Sequence, residues 1–313
     1  MNTPEVIGTP APVVDTLAMA GPPAPALSLR RWRPSVLIVG SLVLHAAAVA
    51  AWLVDPLSGW QLALLLAGNH AVLTVCGLVP RSRWLGPNLT RLPPAAAARG
   101  EVSLTIDDGP DPQVTPAVLD LLDRHGARAT FFCIGEKALQ HPELCREIVR
   151  RGHAVENHSH HHRHNFTLMG PRALLRELRQ AQQALHAATG EWPMFFRAPA
   201  GLRNPLLEPL LPGLGLRLAS WTRRGFDTRT ADPALLMRRL AGNLRAGDIL
   251  LLHDGNAARA PSGEAAILQV LPLLLQRVHA AGLRTVTLRE AHRSEASARR
   301  LPAPEQEALC NAP

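Results

Sequence analysis

Two long apolar runs dominate the first quarter of the chain, Ser35 to Val54 and Trp60 to Val79, separated by Asp55-Pro56-Leu57-Ser58-Gly59. Each has the length a helix needs to cross a bilayer, about 20 residues, so the pattern predicts a hairpin of two transmembrane helices over residues 35–79. The Ala-rich stretch Ala47–Ala51 imitates a signal-peptide cleavage site, but the long tail before it and the second apolar run argue against a removed leader. His45, Asn69 and His70 fall inside the runs, where polar groups are costly unless they find partners. Residues 1–29 are rich in Pro, Ala and Thr without any period and read as a disordered tail.

From Gly100 the pattern changes to short β-rich runs alternating with amphipathic helices. Strands are predicted at Val102–Ile106, Thr130–Ile134, His153–Glu156, Met194–Arg197, Arg217–Trp221, Asp248–Leu252 and Arg284–Leu288. Helices are predicted over 115–125, 136–151, 171–188, 233–245 and 264–280. Such alternation implies an α/β domain with a parallel sheet covered by helices. With about seven strands, a distorted (β/α) barrel is favoured, with its chemistry at the C-terminal ends of the strands. The polar, Ala/Pro-rich stretch 293–313 is predicted to be a second disordered tail.

Charge refines the picture. The formal net charge is +8, and Lys137 is the only lysine. The arginines are scattered, with no basic run interleaved with aromatics, so nucleic acid is not an expected partner. Arg30, Arg31 and Arg33 precede the first apolar run, Arg81 and Arg83 follow the second, and the connecting loop has none. The positive-inside rule then predicts a multi-pass protein of the cell inner membrane with both termini, and the α/β domain, on the cytoplasmic face. Cys76, Cys133, Cys145 and Cys310 have no metal-ligand spacing and read as free thiols.

Two clusters carry candidate chemistry. Thr105-Ile106-Asp107-Asp108-Gly109-Pro110 places adjacent carboxylates at a strand end, where one can bind a metal and the other act as a base. On its own it is also an ordinary Asp-rich turn. The run His153 to His164 holds imidazoles four apart, a spacing that puts two on one helical face and permits either His158/His162 or His160/His164 as a metal pair.

Together these clusters resemble the polysaccharide deacetylases of carbohydrate esterase family 4, the NodB-homology fold. The family's T-F-D-D-G-P motif is matched with Ile106 in place of Phe, and Gly152 to His162 matches its G-H-x-x-x-N-H-[ST]-x-x-H pattern. The resemblance covers roughly residues 98–290 and selects His158 and His162 as ligands beside Asp108. It implies Asp107 as base and Ser159 as support for the ligand loop. Arg197-Ala198-Pro199-Ala200-Gly201 resembles R-x-P-x-G, which makes Arg197 the residue orienting the base; Ala200 stands where an aromatic residue is usual. Leu251-Leu252-His253 resembles L-x-H, with His253 as general acid and Leu251 lining the acetyl pocket. Of the W-x-x-D-x-x-D-W motif only Trp221 and Asp227 remain, with Arg224 at the first acid, so Asp227 becomes the candidate support for His253 and Trp221 a substrate wall.

The resemblance implies hydrolysis of an N-acyl, foremost N-acetyl, group from an amino sugar in a glycan or lipid-linked saccharide. The expected cofactor is a divalent metal, zinc first, with cobalt, nickel and manganese as alternatives. The competing expectation is a membrane-anchored, metal-containing carbohydrate-binding protein without turnover.

Overall fold

The computed structural model describes residues 31–54 and 59–298. The predicted tail at 1–29 and the hairpin loop around Pro56 lie outside the described residues, as does the stretch 299–313.

The two apolar runs form α1 (Val36–Val54) and α2 (Gly59–Leu78). At 19 and 20 residues and about 1.5 Å per residue, both are long and apolar enough to cross a hydrocarbon layer of about 30 Å. Side chains such as Leu42, Leu53, Trp60 and Leu64 are exposed along them. The polar residues within the runs find partners: Asn69 donates to Ser41 Oγ at 2.9 Å across the helix pair. The rings of His45 and His70 meet edge-on, 5.2 Å apart.

The rest of the chain begins with α3 (Pro94–Ala98), β1 (Glu101–Asp107), α4 (Thr115–Arg124) and β2 (Ala129–Cys133). Next come α5 (Gly135–Gln140), α6 (Pro142–Arg150), β3 (Ala154–Asn157), α7 (Pro171–Thr189), β4 (Phe195–Phe196) and β5 (Arg217–Leu218). It ends with β6 (Arg223–Arg224), α8 (Pro233–Ala241), β7 (Ile249–His253), α9 (Ala266–Ala280), β8 (Arg284–Thr285) and α10 (Leu288–Ala298). The strands pair in parallel in the order β5-β4-β3-β2-β1-β7-β6, and β8 adds to the start of β1. This is the predicted distorted barrel, open between β5 and β6.

The opening is filled from the N-terminal side. Leu89 donates to the Leu218 carbonyl and accepts from Ser220, while Thr90 accepts from the Thr222 hydroxyl and Leu92 donates to Gly247. Residues 89–92 therefore lie along the gap between the end of β5 and the start of β6.

Several predicted elements are corrected. The helix expected over 136–151 is two, because Pro142 lacks the N–H that would continue the first and is suited to open the second. The strand expected over 217–221 stops at Leu218, and the short β6 follows it. The helix expected to reach 245 stops at Ala241. The last strand is only Arg284–Thr285, and α10 carries the chain through the first part of the predicted C-terminal tail.

Strand alternation decides what faces the site. Leu104, Ile106, Phe131, Leu250 and Leu252 pack outward with the covering helices in the largest core cluster. Phe132, Phe195, Ile249 and Leu251 pack in a second cluster with Trp221 and Leu288, on the other side of the sheet. Because successive side chains alternate, Thr105 and Asp107 share the inner face of β1, as Leu251 and His253 share that of β7.

Candidate active site

Asp107 and His253 are register partners on the neighbouring parallel strands β1 and β7. The chain leaves β1 through Asp108, whose φ of 72° turns the backbone sharply, a conformation that Asp tolerates better than most residues. Lys137 Nζ donates to the Asp108 carbonyl at 2.7 Å, and Asn256 Nδ2 donates to Asp108 Oδ2 at 3.2 Å.

The histidine cluster is not helical, contrary to the face argument made from its spacing. It is a loop after β3, turned by positive φ at Ser159 (64°) and His162 (50°). His162 N donates to Ser159 Oγ at 3.0 Å, and Ser159 N donates to Asn157 Oδ1 at 2.9 Å. Ser159 thus ties together two backbone positions of this loop. His158 Nδ1 donates to the Arg197 carbonyl at 2.8 Å, which leaves its Nε2 with a free lone pair.

Asp108 Oδ1 lies 3.2 Å from Nε2 of both His158 and His162. It is buried with no well-formed hydrogen bond, and the three ligand atoms lie within 4.8 Å of one another. A buried carboxylate oxygen facing two imidazole nitrogens is the donor set of a hydrolytic zinc centre with a position left for water. The residues therefore fit a divalent metal. Burial alone would raise the Asp108 carboxyl, but His158, His253 and His162 hold it well below the ordinary carboxylate range. Burial, with help from His158, lowers His162 to about 4, keeping it in the neutral form that binds metals. His160 takes no part: its Nδ1 is buried against Gly135, and its ring stacks edge-on with His161. His164 is exposed.

Arg197 is fully buried. It donates from Nη1 to Asp107 Oδ1 at 2.6 Å and to Thr105 Oγ1 at 2.8 Å, and from Nη2 to the Ser220 carbonyl at 2.7 Å. Its guanidinium also lies over the Phe132 ring, 4.1 Å from the centroid. Asp107 Oδ1 is thereby held, and Oδ2 points toward His158 at 3.8 Å. Asp227 is fully buried and accepts twice from His253, from Nδ1 at 2.9 Å and from the backbone N–H at 2.7 Å. Burial works against a charged His253, yet the bond to Asp227 and the charges of Asp227, Asp107 and Asp108 outweigh it and raise the pKa.

Leu251 is buried on the strand that carries His253. Ala200 is exposed in a turn with φ of 54°. At Gly201 a Cβ would sit 2.5 Å from the Trp221 ring and 2.7 Å from Pro80, and its φ is 76°; only glycine serves there. Trp221 is buried with the Arg197 guanidinium 5.8 Å from its centroid.

Asp107, Asp108, His158, His162, Arg197, Asp227 and His253 come together at the C-terminal ends of the strands, whereas Leu251 lies within β7 and Trp221 precedes β6. Sequence reasoning missed Thr105, Lys137 and Asn256, which hold Arg197 and Asp108. Lys137 had one signal, as the sole lysine among 33 basic residues.

A family profile described as polysaccharide deacetylase matches residues 95–219. A peptidoglycan-N-acetylglucosamine deacetylase of Bacillus cereus is 31% identical over 191 residues, 60% of this chain and 86% of the relative. A chitooligosaccharide deacetylase of Azorhizobium caulinodans is 35% identical over 173 residues, 55% of this chain and 80% of the relative. Among solved structures, a family 4 carbohydrate esterase from Streptomyces lividans, in complex with acetate, superposes with a TM-score of 0.54 at 33% identity. That match covers 59% of this chain and 91% of the esterase.

Proposed function

This chain belongs to the polysaccharide deacetylase family, hydrolases of carbon–nitrogen bonds, and on that premise we propose that it removes the N-acetyl group from an amino sugar linked to a membrane lipid. The observation that carries this reading is the joint presence, on one strand-end surface, of the Asp108–His158–His162 triad and the Asp107–Arg197 and His253–Asp227 pairs. A binding protein without turnover has no use for both pairs.

Asp108, His158 and His162 would hold the metal, zinc in this reading. Bound there, it would supply Lewis acidity that lowers the pKa of water and polarises the amide carbonyl. Arg197 fixes one oxygen of Asp107, and the other takes a proton from the attacking water. The backbone N–H at Ala200 donates to the developing oxyanion, Leu251 lines the methyl pocket, and Trp221 walls the sugar. His253, charged through Asp227, gives its proton to the departing nitrogen. The C–N bond breaks, acetate leaves and a free amino sugar remains.

The membrane part of the reading rests on α1 and α2, whose composition and exposure suit a bilayer. The arginines flanking them favour an inner-membrane hairpin with the catalytic domain on the cytoplasmic face, beside lipid-linked sugars. A reporter fused after residue 95 tests this: cytoplasmic reporter activity is expected, and activity only on the far side would move the substrate to an exported glycan.

The chemistry is tested with the full chain in detergent, zinc-loaded, by acetate release from a polyprenyl-linked N-acetylglucosamine and from a soluble chito-oligosaccharide. Asp107→Asn and His253→Ala are expected to lose at least about a hundredfold in turnover. Wild-type rates in either variant would overturn the assigned roles. Mass spectrometry of membrane glycolipids, with and without the active protein, identifies the acyl group lost.

A further inference from the structure

A cavity of about 500 Å³ opens where the end of α2 meets β6. Pro80, Arg81, Trp221, Arg224, Phe226 and Arg239 form its walls. Its charge is unusual. Arg223 pairs with Asp248 at 2.7 Å, a carboxylate it shares with Arg91. Among the described residues, Arg81, Arg224 and Arg239 have no carboxylate partner: Arg81 donates once, to the Thr222 carbonyl, and Arg239 once, to the Gly225 carbonyl. The buried Nε of Arg224 has no hydrogen-bond partner, and its guanidinium lies over Trp221 at 5.3 Å and Phe226 at 5.0 Å. Each guanidinium has five donors, so most of the donors around the cavity are unspent.

The position of the cavity narrows the ligand. Val79, Pro80 and Arg81 directly follow α2. Arg83 and Trp84 meet Ser35, Val36 and Leu37 at the start of α1, so this end of the hairpin presents arginine and tryptophan together. In a bilayer that is the headgroup level. The active centre is adjacent: Trp221 also faces Arg197, Arg224 pairs with Leu251, and Phe226 precedes Asp227.

We propose that this cavity binds the phosphate group through which the amino-sugar substrate is joined to its lipid, with Arg81, Arg224 and Arg239 as the ligands. Guanidinium groups lining one cavity from three segments suit a multi-oxygen anion. The depth selects a lipid phosphate over a soluble one, and Trp221 separates it from the reacting amide. The assignment rests on the deacetylase reading above.

The test uses the full chain in phosphatidylcholine nanodiscs and measures binding of polyprenyl phosphate against neutral polyprenol. Wild-type protein is expected to bind the phosphate at least about tenfold more tightly, with affinity falling as salt rises. Arg224→Gln and Arg239→Gln are each expected to weaken it about tenfold, whereas Arg172→Gln, on the exposed start of α7, leaves it unchanged. Equal binding of phosphate and polyprenol by the wild type overturns the proposal without any variant. Displacement by phosphatidylglycerol as effective as by polyprenyl phosphate overturns the substrate assignment in favour of an ordinary headgroup site. Acetate release from a soluble chito-oligosaccharide by wild-type protein separates the two readings. If it occurs without phosphate binding, the cavity assignment falls alone. If phosphate binds but no N-acetyl sugar is turned over, the deacetylase reading falls and takes with it the assignment of the phosphate to the substrate.

Discussion

Asp227 grips His253 at two points, the ring Nδ1 and the backbone N–H. One carboxylate thus fixes both the orientation of the imidazole and the course of the strand that carries it. The ring proton on Nδ1 is committed, so in the proposed reaction Nε2 is the position that would deliver a proton.

This fixes the sign of a pH effect. A general acid works in its protonated form, below its pKa, and the bond to Asp227 raises that pKa despite burial. Asp227→Asn removes the charge, lowers the His253 pKa and should move the alkaline limb of the kcat profile to lower pH, with a loss of roughly a hundredfold at neutral pH. A merely structural role would lower activity without moving the limb.

Metal content follows the geometry. Asp108→Ala and His162→Ala should each abolish stoichiometric zinc, read by elemental analysis after dialysis. His160→Ala and His164→Ala should retain it, since neither ring faces the Asp108 carboxylate. Zinc added back to chelated wild-type protein should raise its thermal midpoint, because a ligand that binds only the native state stabilises it.

Lys137 braces the left-handed turn at Asp108 through the backbone carbonyl. Lys137→Met should weaken zinc affinity about tenfold, as loss of a residue supporting a metal ligand typically does. It should also lower the thermal midpoint of the metal-free protein. Competition with a chelator measures the first effect and calorimetry the second.

His153 gives an acid-stability prediction. It is buried beside Phe131 and accepts from the Ala129 N–H at 3.3 Å. Burial, with the charge of Arg128 next in effect, lowers its pKa from 6.5 to about 4. Between those values the unfolded chain takes up a proton that the folded chain refuses, so stability falls as pH drops through that window, by up to about 3 kcal/mol. His153→Gln does not titrate and should flatten the difference between thermal midpoints at roughly pH 7 and roughly pH 5.

The parallel strands and the order of the candidate site residues could be read from sequence because those residues occupy short motifs at strand ends. Thr105 to Asp108, Gly152 to His162 and Leu251 to His253 each carry geometry within a few residues. Arg197 and Asp227 were readable only through motifs, since a buried arginine and a buried aspartate look like any others in a string of letters. Lys137 and Asn256 act through a backbone carbonyl and a long reach across the chain, which no local spacing encodes. Spacing alone left His158/His162 and His160/His164 equal, and the motif resemblance chose between them; the backbone adds that positive-φ turns at Ser159 and His162 replace the helix that a four-residue spacing suggests. The strand β6 was hidden because Arg223 and Arg224 are neither apolar nor alternating.

The segment 89–92 fills the opening of the barrel like a stave in a cask, and the chain just before it is clamped as well. A side chain on Gly77 would overlap the Arg203 carbonyl oxygen, Arg203 N donates to the Gly77 carbonyl, and its guanidinium donates to that of Ser82. The hairpin is therefore not a detachable tether. A protein cut before Gly100 would lose the stave, uncover Trp221 and strand the Arg203 guanidinium. Its failure would be one of folding, and fusing the fragment to an unrelated membrane helix would not repair it.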